Sequence, residues 1–147
     1  MAQSIKITIP SDPRYLCVNR KTLQQILTLF ELPEELTGQL ALCVDEACSN
    51  VIKYGYEGET NHTIEISYTI DNDIFKVNIR DYGKQCDTST FQPRCLDDVK
   101  PGGLGTFFIN KIMDSVSYCT QREKGTLLTM TKNLKKYMVD QKEKDDA

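Results

Sequence analysis

Between Thr63 and Asp81 the chain alternates polar and apolar residues in two runs, Thr63 to Ile70 and Ile74 to Asp81, which meet at Asp71-Asn72-Asp73. A period of two sends one set of side chains to a single face. Two such runs around a short polar turn predict an antiparallel hairpin, and its apolar face has to be covered by a second layer. The preceding residues supply that layer. Leu16, Leu23, Ile26, Leu27 and Phe30 recur at helical spacing up to Leu32-Pro33. Pro33 opens a second helix with a broad stripe of Leu36, Leu40, Cys43, Val44, Ala47, Cys48 and Val51, and with Asp45, Ser49 and Lys53 on its polar side.

The remaining elements are read the same way. Ser4 to Ile9 alternates, with Ile5, Ile7 and Ile9 on one side, and Pro10-Ser11-Asp12-Pro13 ends it. Asp12 is placed as a helix cap and Pro13 in the first turn. Tyr54-Gly55-Tyr56-Glu57-Gly58 ends the second helix, with glycine available for left-handed geometry. A third helix is predicted from Thr106 to Asp114, then strands Val116–Gln121 and Thr126–Lys132 joined at Glu123-Lys124-Gly125. The order strand, two helices, hairpin, long segment, helix, hairpin predicts an α+β fold. It is a two-layer sandwich, with a mostly antiparallel mixed sheet and helices on one face.

The chain of 147 residues fits one domain, placed at residues 1–134. The highly charged tail, Lys135 to Ala147, has few apolar residues and is expected to be flexible. Residues 83–105 form a long segment of weak periodicity, the pattern of a functional lid or of a disordered loop. A net charge of −3 gives no basic field for nucleic acid, and no stretch approaches the ~20 apolar residues of a membrane span. The first residues lack the apolar core of a signal peptide, so a cytoplasmic protein is expected. Cys17, Cys43, Cys48, Cys86, Cys95 and Cys119 form no CxxC pair and sit mostly in apolar patterns, which reads as buried thiols. A zinc site from Cys86, Cys95 and His62 lacks the usual ligand spacing.

Chemistry concentrates at a few positions. Glu46 and Asn50 are four apart on the second helix, so both lie on one face at the edge of its apolar stripe. That pairs a carboxylate able to take a proton with an amide oxygen able to ligate a hard cation, although two exposed helix residues would look the same. Asp81-Tyr82-Gly83 places a carboxylate at a strand end, able to accept from an exocyclic amine, beside a glycine that lets a flat ring approach the backbone. A tight turn would use the same residues. Gly102-Gly103-Leu104-Gly105-Thr106 precedes an apolar helix and can present backbone N–H groups to phosphate. It has neither the P-loop lysine nor the GxGxxG spacing, so a nucleotide site here is of another type.

These residues together resemble the histidine-kinase-like ATPase superfamily, and within it the small serine-protein kinases that act as bacterial anti-sigma factors. Glu46-Ala47-Cys48-Ser49-Asn50-Val51-Ile52-Lys53-Tyr54-Gly55-Tyr56 is similar to that family's N box. Asp81-Tyr82-Gly83 and Gly103-Leu104-Gly105 resemble its two glycine boxes, and Gly125-Thr126 its final strand motif. The resemblance runs from about Ile5 to Leu134. It implies that Asn50 ligates magnesium on ATP and that Glu46 is the general base for a serine or threonine hydroxyl. It further implies that Asp81 reads the adenine amine, that Gly83 lines the ring pocket and that Thr126 reaches toward it. Gly103, Leu104 and Gly105, with Thr106 behind them, would close over the phosphates. Arg20 on the first helix would contact partners.

The implied protein is an ATP- and magnesium-dependent serine/threonine kinase. It would hold a sigma factor and phosphorylate a small anti-anti-sigma protein of the STAS type, as a homodimer. The rival is a non-catalytic ATP- or ADP-responsive binding module, and a domain that binds no nucleotide is a third reading. Two residues depart from the pattern: Tyr54 stands where many relatives have histidine, and Gln85 replaces a second glycine. His62 precedes a strand instead of lying on a dimerisation helix, which sets aside a sensor histidine kinase.

Overall fold

The computed structural model describes residues 3–85, 103–121 and 123–138, with the backbone alone for 103 and 104. Strand β1 (Ser4–Pro10) leads through a 3-10 turn (Pro13–Tyr15) into helices α1 (Leu16–Leu29) and α2 (Glu34–Asn50). A π-helical turn (Val51–Gly55) follows, then strands β2 (Thr63–Asp71) and β3 (Ile74–Arg80). Helix α3 (Gly103–Ile112) and strands β4 (Ser115–Cys119) and β5 (Leu127–Asn133) complete the described elements. The five-stranded sheet has the order β1-β2-β3-β5-β4, and every pairing is antiparallel. The α+β sandwich is therefore the observed architecture, with no parallel pair among the described strands.

Local chemistry accounts for the elements. The β2–β3 hairpin turns at Asn72 and Asp73, both left-handed (φ 51 and 63), which is the geometry a two-residue antiparallel turn requires. Asp12 caps the 3-10 turn by accepting from Arg14 N at 3.0 Å, with Pro13 at its first position, so both serve this turn and not α1, whose cap is Tyr15. Glu34 and Glu35 lie in the first turn of α2, at the positive end of its dipole. Beyond Asn50 the helix widens, with Tyr56 N donating to Val51 O at 2.9 Å. The left-handed residues that end it are Glu57 and Gly58 (φ 53 and 84).

Alternation along the strands decides which face is covered. Ile64, Ile66 and Tyr68 of β2, Phe75, Val77 and Ile79 of β3, and Leu128 and Met130 of β5 are buried together with Leu23 and Leu27 of α1 and Leu40 and Val44 of α2. Each such side chain contributes about 1.5–3 kcal/mol on burial. The opposite face is polar, with Lys6, Ser67, Asn78, Thr129 and Ser117 in one register row. Tyr68 Oη, deep in the core, donates to Asn19 Oδ1 at 2.8 Å and so fixes α1 on the sheet.

Some boundaries move. Helix α3 starts at Gly103 and stops at Ile112, so Gly103, Leu104 and Gly105 form its first turn instead of a loop before it. Glycine is tolerated there because the first-turn N–H groups have no intrahelical partner to lose. Strand β4 begins at Ser115 and ends at Cys119, short of Gln121. Residues 135–138 form a helical turn, and Tyr137 and Met138 pack on the core. The rest of the tail expected to be flexible, and residues 86–102 of the expected lid, lie outside the described residues. Cys43 and Cys48 are buried, whereas Cys17 and Cys119 are exposed, the latter because it falls on the polar face of the sheet. Cys86 and Cys95 of the zinc alternative are outside the described residues, and His62 stacks on Tyr56 with ring centroids 4.5 Å apart.

Candidate active site

Three parts of the fold wall one cavity. Ala47, Asn50, Val51, Tyr54 and Gly55 come from α2 and the π turn, Asp81 and Lys84 from the end of β3, and Tyr118, Thr126 and Leu128 from the β4–β5 hairpin. Spacings of three and four put the first set on one helical face. Tyr118 and Leu128 are register partners, so the pleat sets them side by side.

Asp81 is only 5% exposed. Its Oδ1 accepts from Gly83 N at 3.0 Å, and its own N–H donates to Thr126 O at 3.1 Å. The Thr126 N–H is a further backbone donor to the same carboxylate. Burial raises the Asp81 pKa from its ordinary value, against the opposing pull of the Gly83 N–H, the Arg80 guanidinium and the Thr126 N–H. Arg80 braces the same corner, donating from Nη1 to Asp81 O at 2.7 Å and from Nη2 to Lys124 O at 2.9 Å.

Tyr56 ties this corner to the π turn. Its hydroxyl donates to Thr63 O at 2.6 Å and accepts from Tyr82 N at 2.8 Å, while Lys84 N donates to Gly55 O at 2.7 Å. The two backbones are so close that a Cβ at Gly83 would lie 2.6 Å from Gly55 C. Gly125 adopts φ +74, and a Cβ there would lie 2.6 Å from Asp81 C. Glycine is required at both positions for the walls to meet.

Asn50 is half-buried on the cavity wall, and its amide makes no hydrogen bond among the described residues. Glu46, one turn earlier, is also half-buried, and it lies outside the cavity lining. Its carboxylate faces the first turn of α3, where a Cβ at Gly105 would overlap Oε2 and lie 3.2 Å from Cδ. Thr106 is buried beside it, with its carbonyl accepting from Asn110 Nδ2 at 2.9 Å. Gly103 and Leu104 open the same turn. The structure thus brings Asn50, Asp81 and Thr126 to one cavity, sets Gly83 behind its wall, and places Glu46 against Gly105. Arg20 stands apart, with Nε donating to Asp45 Oδ2 at 2.5 Å on the α1–α2 surface.

Lys84 and Tyr118 line the cavity without having been singled out from the sequence, and Tyr54 was noted there only as a departure from the family pattern. Tyr54 was findable, being four residues after Asn50. Tyr118 was visible only as an alternating strand residue. Burial pushes its phenol up to about 12, so it is neutral at physiological pH. In chemical terms, the cavity offers an apolar slot with one buried carboxylate and an amide at its rim. That combination suits a flat heterocycle carrying an amine, with an oxygen ligand nearby for a hard cation.

The serine-protein kinase RsbW of Bacillus subtilis (strain 168) is 28% identical over 147 residues, covering 95% of this chain and 91% of the relative. The serine-protein kinase RsbW of Listeria monocytogenes serotype 4a is 27% identical over 152 residues, covering 98% and 96%. Among solved structures, the RsbU and RsbW domains of Rv1364c from Mycobacterium tuberculosis align with a TM-score of 0.65 at 15% identity, over 90% of this chain and 32% of that one. The histidine kinase domain from the Erythrobacter litoralis EL346 blue-light activated histidine kinase aligns at 0.59 and 15% identity, over 89% of this chain and 64% of that one. These structural likenesses concern the fold alone. Residues 9–132 match the histidine kinase-like ATPase domain family, and the chain belongs to that family.

Proposed function

We propose that this chain is an ATP-dependent serine/threonine protein kinase acting as an anti-sigma factor in a partner-switching pathway. It phosphorylates a small anti-anti-sigma protein of the STAS type and sequesters a sigma factor. The relatives named serine-protein kinase, matched along almost their whole length, support the activity. The observation that carries the site is the meeting of a buried carboxylate, Asp81, and an amide without a hydrogen-bond partner, Asn50, on one cavity wall.

Adenine enters between Ala47 and Val51 on one side and Leu128 on the other, with its exocyclic amine donating to the Asp81 carboxylate. The first turn of α3, at Gly103, Leu104 and Gly105, turns backbone N–H groups toward the phosphates. Asn50 fits a magnesium site, since its oxygen suits a hard cation and has no competing partner; magnesium, when bound, neutralises phosphate charge. Glu46 takes the proton of the partner's serine or threonine hydroxyl as that oxygen bonds the γ-phosphorus and the bond to the ADP oxygen breaks. The protein works in the cytoplasm as a homodimer. The outer edge of β1, unpaired among the described residues and with Ile5 42% exposed, is a surface able to pair with a second copy.

The test is transfer from labelled ATP to a STAS-type partner, run beside nucleotide titration. Glu46→Gln is expected to keep nucleotide binding and to lose about 10²–10⁴-fold in transfer, the usual contribution of a positioned base. Binding without transfer by the unaltered protein would instead assign a nucleotide-responsive binding module. No binding of ATP with magnesium would defeat both readings.

A further inference from the structure

Gln85 replaces a glycine of the family pattern, and its side chain is engaged. Its Nε2 donates to Thr120 O at 2.8 Å and to Gly125 O at 3.0 Å, so both hydrogens of one carboxamide nitrogen are used. The two carbonyls bracket the hairpin that carries one cavity wall: Thr120 follows β4, two residues after Tyr118, and Gly125 precedes Thr126. Gln85 itself belongs to the other wall, directly after Lys84. Arg80 and Asp81 already fasten this seam at Lys124 and Thr126. Gln85 extends the fastening to the β4 side, which those two bonds do not reach.

We propose that Gln85 is a positioning residue that clamps the Asp81–Lys84 wall to the Tyr118–Thr126 wall at the separation that accepts a nucleotide. The proposal rests on the reading of this cavity as the ATP site. Without the clamp the walls sample wider separations, and apparent affinity falls in proportion to the competent fraction that remains. A clamp with the worth of one ordinary net hydrogen bond sets that fall at about fivefold. Saturating ATP selects the competent form, so KM rises and kcat stays within about twofold.

The experiment uses the full chain unaltered and as Gln85→Met, Gln85→Gly and Gln85→Glu, titrated with ADP and with ATP and magnesium, then assayed for transfer to a STAS-type partner. Met keeps the length and loses both donors. Gly restores the family residue. Glu keeps the shape and turns a carboxylate toward two carbonyls, so it is expected to bind more weakly than Met. The expected result is a rise in Kd and KM of about fivefold for Met and Gly and more for Glu, at near-constant kcat. Variants that bind as tightly as the unaltered chain overturn the clamp and leave the ATP site standing. A fall in kcat matching the rise in KM also overturns it, because that reports lost active protein instead of altered wall spacing. An unaltered chain that binds neither nucleotide overturns the site reading, and the clamp with it.

Discussion

Gly125→Ala tests whether the seam between β3 and the β4–β5 hairpin holds the site together. Gly125 sits at φ +74, and a left-handed conformation costs an L-residue about 1–2 kcal/mol. The added methyl would also lie 2.6 Å from Asp81 C and 2.7 Å from Tyr82 Cα, where carbon contacts prefer about 3.5–4.0 Å. Those atoms cannot give way cheaply. Asp81 O accepts from Arg80 Nη1 at 2.7 Å, and Tyr82 N donates to Tyr56 Oη at 2.8 Å. The hairpin turn must therefore retreat by about 1 Å, against the bond from Asp81 N to Thr126 O. Stranding that buried N–H costs about 1–3 kcal/mol.

The combined loss is expected to be about 3 kcal/mol, a large share of the roughly 5–15 kcal/mol that holds a domain of this kind. Urea unfolding followed by far-UV circular dichroism reads it directly. With a slope near 2 kcal/mol/M, the midpoint drops by about 1.5 M with the slope unchanged. ATP affinity, measured on the folded fraction, falls as well, because Thr126 and Asp81 are the residues displaced. A loss under about 1 kcal/mol with normal ATP binding would refute the reasoning, since the turn would then have room the geometry denies it.

Three other substitutions probe separate claims. Asp81 has a raised native pKa, so between its ordinary value of 3.8 and the native value the folded state holds a proton that the unfolded state has lost. Stability therefore falls as pH rises through that window. Asp81→Asn removes this dependence, is at least as stable at pH 7, and loses ATP affinity; urea midpoints from acidic to neutral pH would expose the opposite trend. Asn50→Ala removes an amide with no hydrogen-bond partner among the described residues, so stability stays within about 0.5 kcal/mol while magnesium-dependent ATP binding drops. Titrations with and without magnesium decide it, an equal loss in both counting against a metal ligand. Arg20→Ala breaks a pair whose side chains are 43% and 17% exposed, costing less than about 1 kcal/mol. Partner capture on an affinity column should nevertheless weaken at least tenfold, whereas unchanged capture would remove Arg20 from the partner surface.

What the sequence disclosed and what it withheld divide by range along the chain. The β2–β3 hairpin and the two long helices follow from periods that neighbours impose on one another, and they lie close to where the pattern put them, whereas of Glu46 and Asn50 only Asn50 lines the cavity. Asp81 and Thr126 were legible as motif residues. That Asp81 N donates to Thr126 O was not, because it depends on β5 inserting between β3 and β4. The start of α3 was misplaced for a related reason. Glycine's poor helix propensity argues for a loop at Gly103 to Gly105, yet Gly105 packs against Glu46 of α2, a contact no local pattern encodes.

The same division explains why the cavity lies where it does. Each wall is locally simple: a helical face ending in a π turn, a strand end, and a hairpin. Between the strand end and the hairpin, non-local bonds set the separation, from Asp81 N to Thr126 O, from Arg80 to Lys124 O, and from Gln85 to Thr120 O and Gly125 O. Side chains supply two of those three fastenings, and side chains change without altering the fold. A family can therefore keep Asn50, Asp81 and Thr126 in register while individual members vary the fastening at positions such as 85. It follows that nucleotide affinity among such domains should track the seam residues as well as the motif residues. Placing glutamine at the equivalent glycine of a relative with the same hairpin length should tighten its ADP binding, and an unchanged affinity would show that the separation is set by the backbone alone.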